Sequence, residues 1–165
     1  MRFTVIGWNF RKTPVEIRDS LALTPKEQVE LGLKLRTRFN LGGVVILSTC
    51  NRTELYLVNA EQQLDQIIEM LESYWNLYEL RERVYTIQNL DGVRHLFQVA
   101  SSLDSMVLGE PQILGQLKDA FQSFNEADLT GKLLHPLFTR AFSTAKRVRT
   151  ETSVCLLYTS DAADE

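Results

Sequence analysis

Apolar residues fall in short blocks whose spacing changes along the chain, and the changes mark out its elements. Phe3 to Trp8 is an apolar, β-branched run closed by the polar Asn9-Phe10-Arg11-Lys12, which predicts a buried first strand. Thr13-Pro14-Val15-Glu16 and Thr24-Pro25-Lys26-Glu27 each supply Thr as helix N-cap, Pro at the first helical position and Glu three residues on. Two helices are therefore expected, a short one and one running to about Phe39, stopped by Asn40, Gly42 and Gly43. Lys34, Arg36 and Arg38 near its end suit the helix dipole. Val44 to Ser48 and Leu55 to Val58 read as strands, Leu64, Ile67, Ile68, Leu71 and Trp75 as the buried stripe of a helix, and Val84 to Ile87 as a fourth strand. This order predicts a ferredoxin-like (split βαβ) α+β subdomain over residues 1–90, an antiparallel sheet with its helices on one face.

From Asp91 the pattern is helical only, with no glycine- or proline-rich linker, which predicts a three-helix subdomain over 91–154 packed directly on the first. In its first helix Val93, Leu96, Phe97, Ala100 and Leu103 form the expected buried stripe, and His95, Ser102 and Ser105 share another face. Gly109-Glu110-Pro111 breaks the chain. The next helix buries Ile113, Leu114, Leu117, Phe121 and Phe124 and places Gln112 and Gln116 together on a polar face. The last runs to about Thr150 on Leu134, Leu137, Phe138, Ala141, Ala145 and Val148, with Pro136 near its start.

Composition narrows the class. The chain has 165 residues, 44% of them hydrophobic, enough for one or two small cores. No apolar run approaches the ~20 residues that cross a bilayer, and no basic segment with an apolar signal region opens the chain, so the cytoplasm is the expected compartment. Cys50 and Cys155 are too far apart to suggest a disulfide framework or zinc spacing, and no structural metal is expected. The net charge of -3 lies in Asp161, Asp164 and Glu165, the rest being balanced.

The candidate chemistry lies in Leu47-Ser48-Thr49-Cys50-Asn51-Arg52-Thr53-Glu54-Leu55-Tyr56, where one apolar run delivers a cysteine into a polar turn before the next begins. Thr49, Asn51 and Arg52 surround the sulfur with hydrogen-bonding groups and one permanent positive charge, a setting suited to a nucleophilic thiol. The plainer reading is a buried, inert thiol, with Arg52 pairing Glu54.

Taken with Ala100-Ser101-Ser102-Leu103-Asp104-Ser105-Met106-Val107-Leu108-Gly109-Glu110-Pro111-Gln112-Ile113 inside the segment from His95 to Lys118, this motif closely resembles the N-terminal catalytic domain of glutamyl-tRNA reductase. The resemblance runs from the first strand through Ala145-Lys146-Arg147-Val148-Arg149-Thr150-Glu151-Thr152-Ser153. One departure is Phe10, where the family usually has histidine. The resemblance implies that Cys50 attacks glutamyl-tRNA to form a thioester, which NADPH reduces to glutamate 1-semialdehyde on the route to tetrapyrroles and heme. It makes His95 a second catalytic residue, as proton donor or thiolate stabiliser, and Arg52 a fork for the substrate carboxylate. It places Thr49, Asn51, Ser105, Glu110, Pro111, Gln112 and Gln116 in the glutamate pocket. It also implies glutamate-1-semialdehyde aminotransferase as a partner and a homodimer formed through a C-terminal region.

No G-x-G-x-x-G fingerprint occurs, so NADPH is expected to bind outside these residues. Cys155-Leu156-Leu157-Tyr158-Thr159-Ser160-Asp161-Ala162-Ala163-Asp164-Glu165 stands where the family continues toward its nucleotide-binding domain, and it resembles a translated sequencing adapter. Residues 155–165 are accordingly expected to be non-native and the native chain truncated. Between Leu129 and Thr150 there is no acidic residue while Lys132, Arg140, Lys146, Arg147 and Arg149 are present, a face suited to tRNA phosphates or simply solvated. Two other classes fit the residues: a non-catalytic module that binds tRNA or its synthetase, and a generic cysteine thioesterase or acyltransferase.

Overall fold

The computed structural model describes residues 2–154. Its four strands, β1 (Phe3–Asn9), β2 (Gly43–Ser48), β3 (Arg52–Val58) and β4 (Tyr85–Gln88), form one sheet in the order β2-β3-β1-β4. All three neighbouring pairs are antiparallel. The helices α1 (Val15–Ser20) and α2 (Pro25–Phe39) join β1 to β2, and α3 (Leu64–Trp75) with the one-turn α4 (Leu80–Arg83) joins β3 to β4. This is the ferredoxin-like order expected. The remaining helices are α5 (Asn89–Ala100), α6 (Gln112–Glu126) and α7 (Gly131–Glu151). No helix among the described residues is long and apolar enough to cross a membrane.

The register separates two faces. Thr4, Ile6 and Trp8 share one with Leu55, Leu57, Val44 and Ile46. There Trp8 meets Trp75 of α3 edge-on at 5.9 Å and donates its indole N–H to Leu80 O at 2.9 Å. Phe3, Val5 and Gly7 share the other face with Glu54, Tyr56, Val45, Leu47 and Tyr85. Tyr56 meets Phe138 of α7 at 5.3 Å, and Glu54 meets His95 of α5. The helical layer α5–α7 thus covers the face that a lone ferredoxin-like sheet would leave wet, so helices lie on both faces rather than one. That is why every residue of β1 and β3 is buried and neither strand shows polar alternation. All the buried apolar residues except Ile68 and Val154 form one cluster from Phe3 to Ala145.

Three local expectations are corrected. Thr24 forms the complete capping box with Glu27, but Thr13 does not cap α1: Pro14 takes the cap position, and Thr13 Oγ1 is buried without a partner among the described residues. β3 starts at Arg52 rather than Leu55, because its charged side chains satisfy one another inside the molecule. α5 ends at Ala100 and Ser102 takes a positive φ of 60°, so the helical face drawn through His95, Ser102 and Ser105 does not exist and Leu103 is exposed. The expected foreign tail, residues 155–165, lies outside the described residues.

Candidate active site

The β2–β3 hairpin presents Cys50 at its tip, exposed. Thr49 builds the turn: its N–H donates to Arg52 O at 2.8 Å, and its Oγ1 accepts the N–H groups of Asn51 (3.3 Å) and Arg52 (3.2 Å). Neighbours clamp it from outside, Phe10 N–H donating to Asn51 O (2.9 Å) and Arg18 Nε to Cys50 O (3.2 Å). Phe10 therefore supports the turn through its backbone, a contact independent of its side chain.

Facing this turn are the irregular segment 101–111 and the first turns of α6. Together they form a narrow cleft lined by Thr49, Cys50, Asn51 and Arg52 on one side and by Ser105, Glu110, Gln112 and Gln116 on the other, with Met106 and Ile113 between. Eight of the ten residues proposed from the sequence converge there. Pro111 and His95 do not line it. Pro111 sits at the N-cap position of α6 and is exposed.

His95 lies in the layer behind the cleft. Its Nε2 is 2.8 Å from Glu54 Oε1 between side chains that are 10% and 0% exposed. Glu54 is the hub of the layer: Arg52 Nη1 donates to it at 3.0 Å, and Tyr56 and Tyr85 donate their hydroxyls. Arg52 also bonds the Asp104 side chain at 3.0 Å and its backbone carbonyl, and Arg11 reaches Asp104 from the surface at 2.9 Å. Arg52 lines the cleft, and its guanidinium is held by two carboxylates. Glu54, Asp104 and Tyr85 were missed as site residues; the available signal was charged residues on the same side, Arg52 and Glu54, in a segment otherwise continuous with an apolar strand.

Burial alone would raise the Glu54 pKa, but the His95 hydrogen bond and charge, then Arg52 and Tyr56, outweigh it and bring it down to about 2. Burial pulls His95 down, and the hydrogen bond and charge of Glu54 more than reverse this, leaving it above its ordinary value. Burial, reinforced by Glu54, pushes Tyr56 and Tyr85 well above the usual phenol range, so both stay hydrogen-bond donors.

The ligand atoms of Glu54, His95 and Asp104 lie within 4.8 Å of one another, close enough for a metal. Arg52 holds a permanent positive charge against both carboxylates, however, and the cluster is already satisfied as an ion-pair network. The described residues do not fit a dinucleotide either: the sheet neighbours are antiparallel, and the turn from β1 into α1, Phe10 to Pro14, contains no glycine.

The model of the family described as "Glutamyl-tRNAGlu reductase, N-terminal domain" matches residues 6–152. The chain belongs to the glutamyl-tRNA reductase family. It is 45% identical to the glutamyl-tRNA reductase of Marinobacter nauticus and 46% identical to that of Ectopseudomonas mendocina, in each case over 93% of this chain and 36% or 37% of the relative. The solved glutamyl-tRNA reductase of Methanopyrus kandleri superimposes with a TM-score of 0.76 at 29% identity, covering 92% of this chain and 35% of that one. The chain thus spans little more than a third of the length of the relatives it matches.

Proposed function

We propose that this chain is the substrate-binding and acyl-transfer part of a glutamyl-tRNA reductase. The observation that carries the reading is the cleft, in which a cysteine on a clamped hairpin tip faces polar side chains brought from a separate helical layer. The Cys50 thiolate attacks the ester carbonyl of glutamyl-tRNA; a C–S bond forms, the C–O bond to the terminal ribose breaks, and the ribose oxygen takes up a proton. Thr49, Asn51, Ser105, Glu110, Gln112 and Gln116 orient the glutamyl group, and Arg52 supplies the fixed positive charge beside the developing oxyanion and the substrate carboxylate. Pro111 starts the helix that carries the two glutamines.

His95 acts as a positioning residue in this scheme. Through Glu54, and together with Asp104, it fixes the guanidinium of Arg52 behind the cleft. NADPH supplies hydride in the family reaction; the described residues do not fit it, so reduction of the thioester to glutamate 1-semialdehyde belongs to the remainder of a full-length enzyme. The same full-length protein, as a cytoplasmic homodimer in tetrapyrrole synthesis, would pass the aldehyde to glutamate-1-semialdehyde aminotransferase. Lys132, Arg140, Lys146 and Arg147 are exposed along α7 and offer phosphate contacts for the tRNA, although Arg147 already pairs with Glu151 at 3.0 Å.

The deciding experiment incubates the purified chain with charged tRNA and maps adducts by mass spectrometry. A glutamyl group on Cys50, absent in Cys50→Ser, is expected. A folded protein with no adduct overturns the reading and favours a non-catalytic tRNA- or synthetase-binding module. Equal acylation by simple thioesters without tRNA favours a generic cysteine thioesterase or acyltransferase.

A further inference from the structure

Beside the cysteine cleft is a second cavity of about 220 Å³, and Gln116 lines both. Its lining includes Ser48, the residue before Thr49. We propose that this cavity receives the terminal adenosine that every tRNA carries at its acceptor end, the leaving group of the acyl transfer proposed above, on which this assignment rests.

The argument begins with the reacting carbon. Once seated at Cys50 Sγ it carries two substituents, the glutamyl chain and the ribose oxygen, and both need space next to the sulfur. The two compartments meeting at Gln116 differ in chemistry in the way those substituents do. The cysteine cleft is walled mainly by polar side chains and Arg52, which suits the charged glutamyl group. The second cavity has a mixed lining, in which Leu23, Pro25, Leu47 and Ala120 offer aliphatic contact to the face of a base and Gln28, Ser48, Asp119 and Ser123 offer polar groups.

Its polar groups suit the rest of a nucleoside. Asp119 repels the carboxylate of the glutamyl side chain, which favours the cysteine cleft for that group, and it accepts hydrogen bonds from an exocyclic amine or a ribose hydroxyl. Ser48 Oγ accepts the Leu23 N–H at 3.0 Å, which leaves its proton to donate. The wall is fixed before any ligand arrives: Gln28 Nε2 donates to Leu23 O at 3.0 Å, and the capping box of Thr24 and Glu27 locks the start of α2 beside it. The volume falls below the roughly 300–1,000 Å³ typical of pockets for drug-sized ligands, a scale that suits a single nucleoside.

The test compares acylation of Cys50 by the glutamyl ester of adenosine and by glutamyl methyl ester, followed by intact mass spectrometry on the full chain. The adenosine ester is expected to reach half-maximal acylation at a concentration lower by about tenfold or more, the scale of one stacked base. In Ser123→Trp, where an indole fills the cavity from α6, the ratio between the two esters is expected to fall to near one. Equal half-maximal concentrations in the unaltered protein overturn the nucleoside pocket while leaving acyl transfer by Cys50 standing. Failure of both esters to acylate Cys50 overturns the acyl-transfer reading and the pocket together.

Discussion

Arg52 and Glu54, two residues apart on β3, form an ion pair at 3.0 Å between side chains that are 2% and 0% exposed. The pair sits on the sheet face covered by α5, and with so little exposure water is a poor substitute for either partner. Removing Arg52 strips two carboxylates, the buried Glu54 and Asp104, of their shared counter-charge and leaves Glu54 to His95 and two tyrosine hydroxyls. Arg52→Met is therefore expected to destabilise the protein by about 3–5 kcal/mol in urea unfolding. Arg52→Lys should recover little of this, because an ammonium cannot reproduce the guanidinium fork that serves Glu54 and Asp104 at once. A loss within the range of an ordinary surface substitution would refute the network as a structural element.

The same network sets a pH window. Glu54 has an ordinary value of 4.5 and a folded value of about 2. Its contribution is full above 4.5 and is lost as pH falls toward 2, since the unfolded chain takes up the proton first. His95 works in the opposite sense: its value rises from 6.5 on folding, so its stabilisation is full below 6.5 and is lost as pH climbs through the raised folded value. The groups facing the imidazole are Glu54, Arg52, Asp104 and Tyr85. The chain has two histidines, so NMR titration resolves them directly. One imidazole should titrate above 6.5, and in Glu54→Gln that titration should move down; an unmoved midpoint would contradict the pairing.

The sheet order was legible in the sequence because strands and helices there are marked by local signals, apolar runs and capping residues. The helical layer's purpose was not. Nothing local in Val93, Leu96 or Phe97 shows that α5 lies across the sheet face bearing Glu54, and the actual buried side of α5 includes His95 and Val99. The cleft was legible residue by residue only through resemblance, since Ser105 and Glu110 belong to an irregular segment without periodicity. The start of β3 was obscured by the rule that charges sit outside, which fails where Arg52, Glu54 and His95 neutralise one another.

The two Thr-Pro-x-Glu motifs separate sequence signal from realised structure. Thr24→Ala should cost about 1 kcal/mol, the usual value of an N-cap. Thr13→Val should be neutral or stabilising, because it replaces a buried hydroxyl that has no partner with a methyl of similar shape. Thermal melts of both variants decide the matter, and equal losses would restore Thr13 as a cap.

Gly7 is required by a side chain on the next strand. A Cβ there would overlap the hydroxyl of Tyr85, which must pass over β1 to reach Glu54. Gly7→Ala is expected to cost about 1–3 kcal/mol by overpacking. Tyr85→Ala removes the obstructing ring, so the double variant should be more stable than the sum of the two losses predicts. Strict additivity in a double-mutant cycle would show that the two positions do not meet.

Thr49 offers the sharpest separation between a reactive cysteine and a positioned one. Its hydroxyl accepts the N–H groups of Asn51 and Arg52 and so fixes the hairpin tip on both sides of Cys50. Thr49→Val keeps the shape and removes the acceptor, freeing the tip to move. Cys50 is exposed already, so its alkylation by iodoacetamide should change by no more than about twofold, whereas acylation by glutamyl-tRNA should fall by about ten- to a hundredfold, the scale of losing an attack geometry. Thr49→Ser retains the acceptor and should keep most of the acylation rate. If both reactions slow together in Thr49→Val, the threonine governs the thiol itself; if neither slows, the turn does not position the nucleophile.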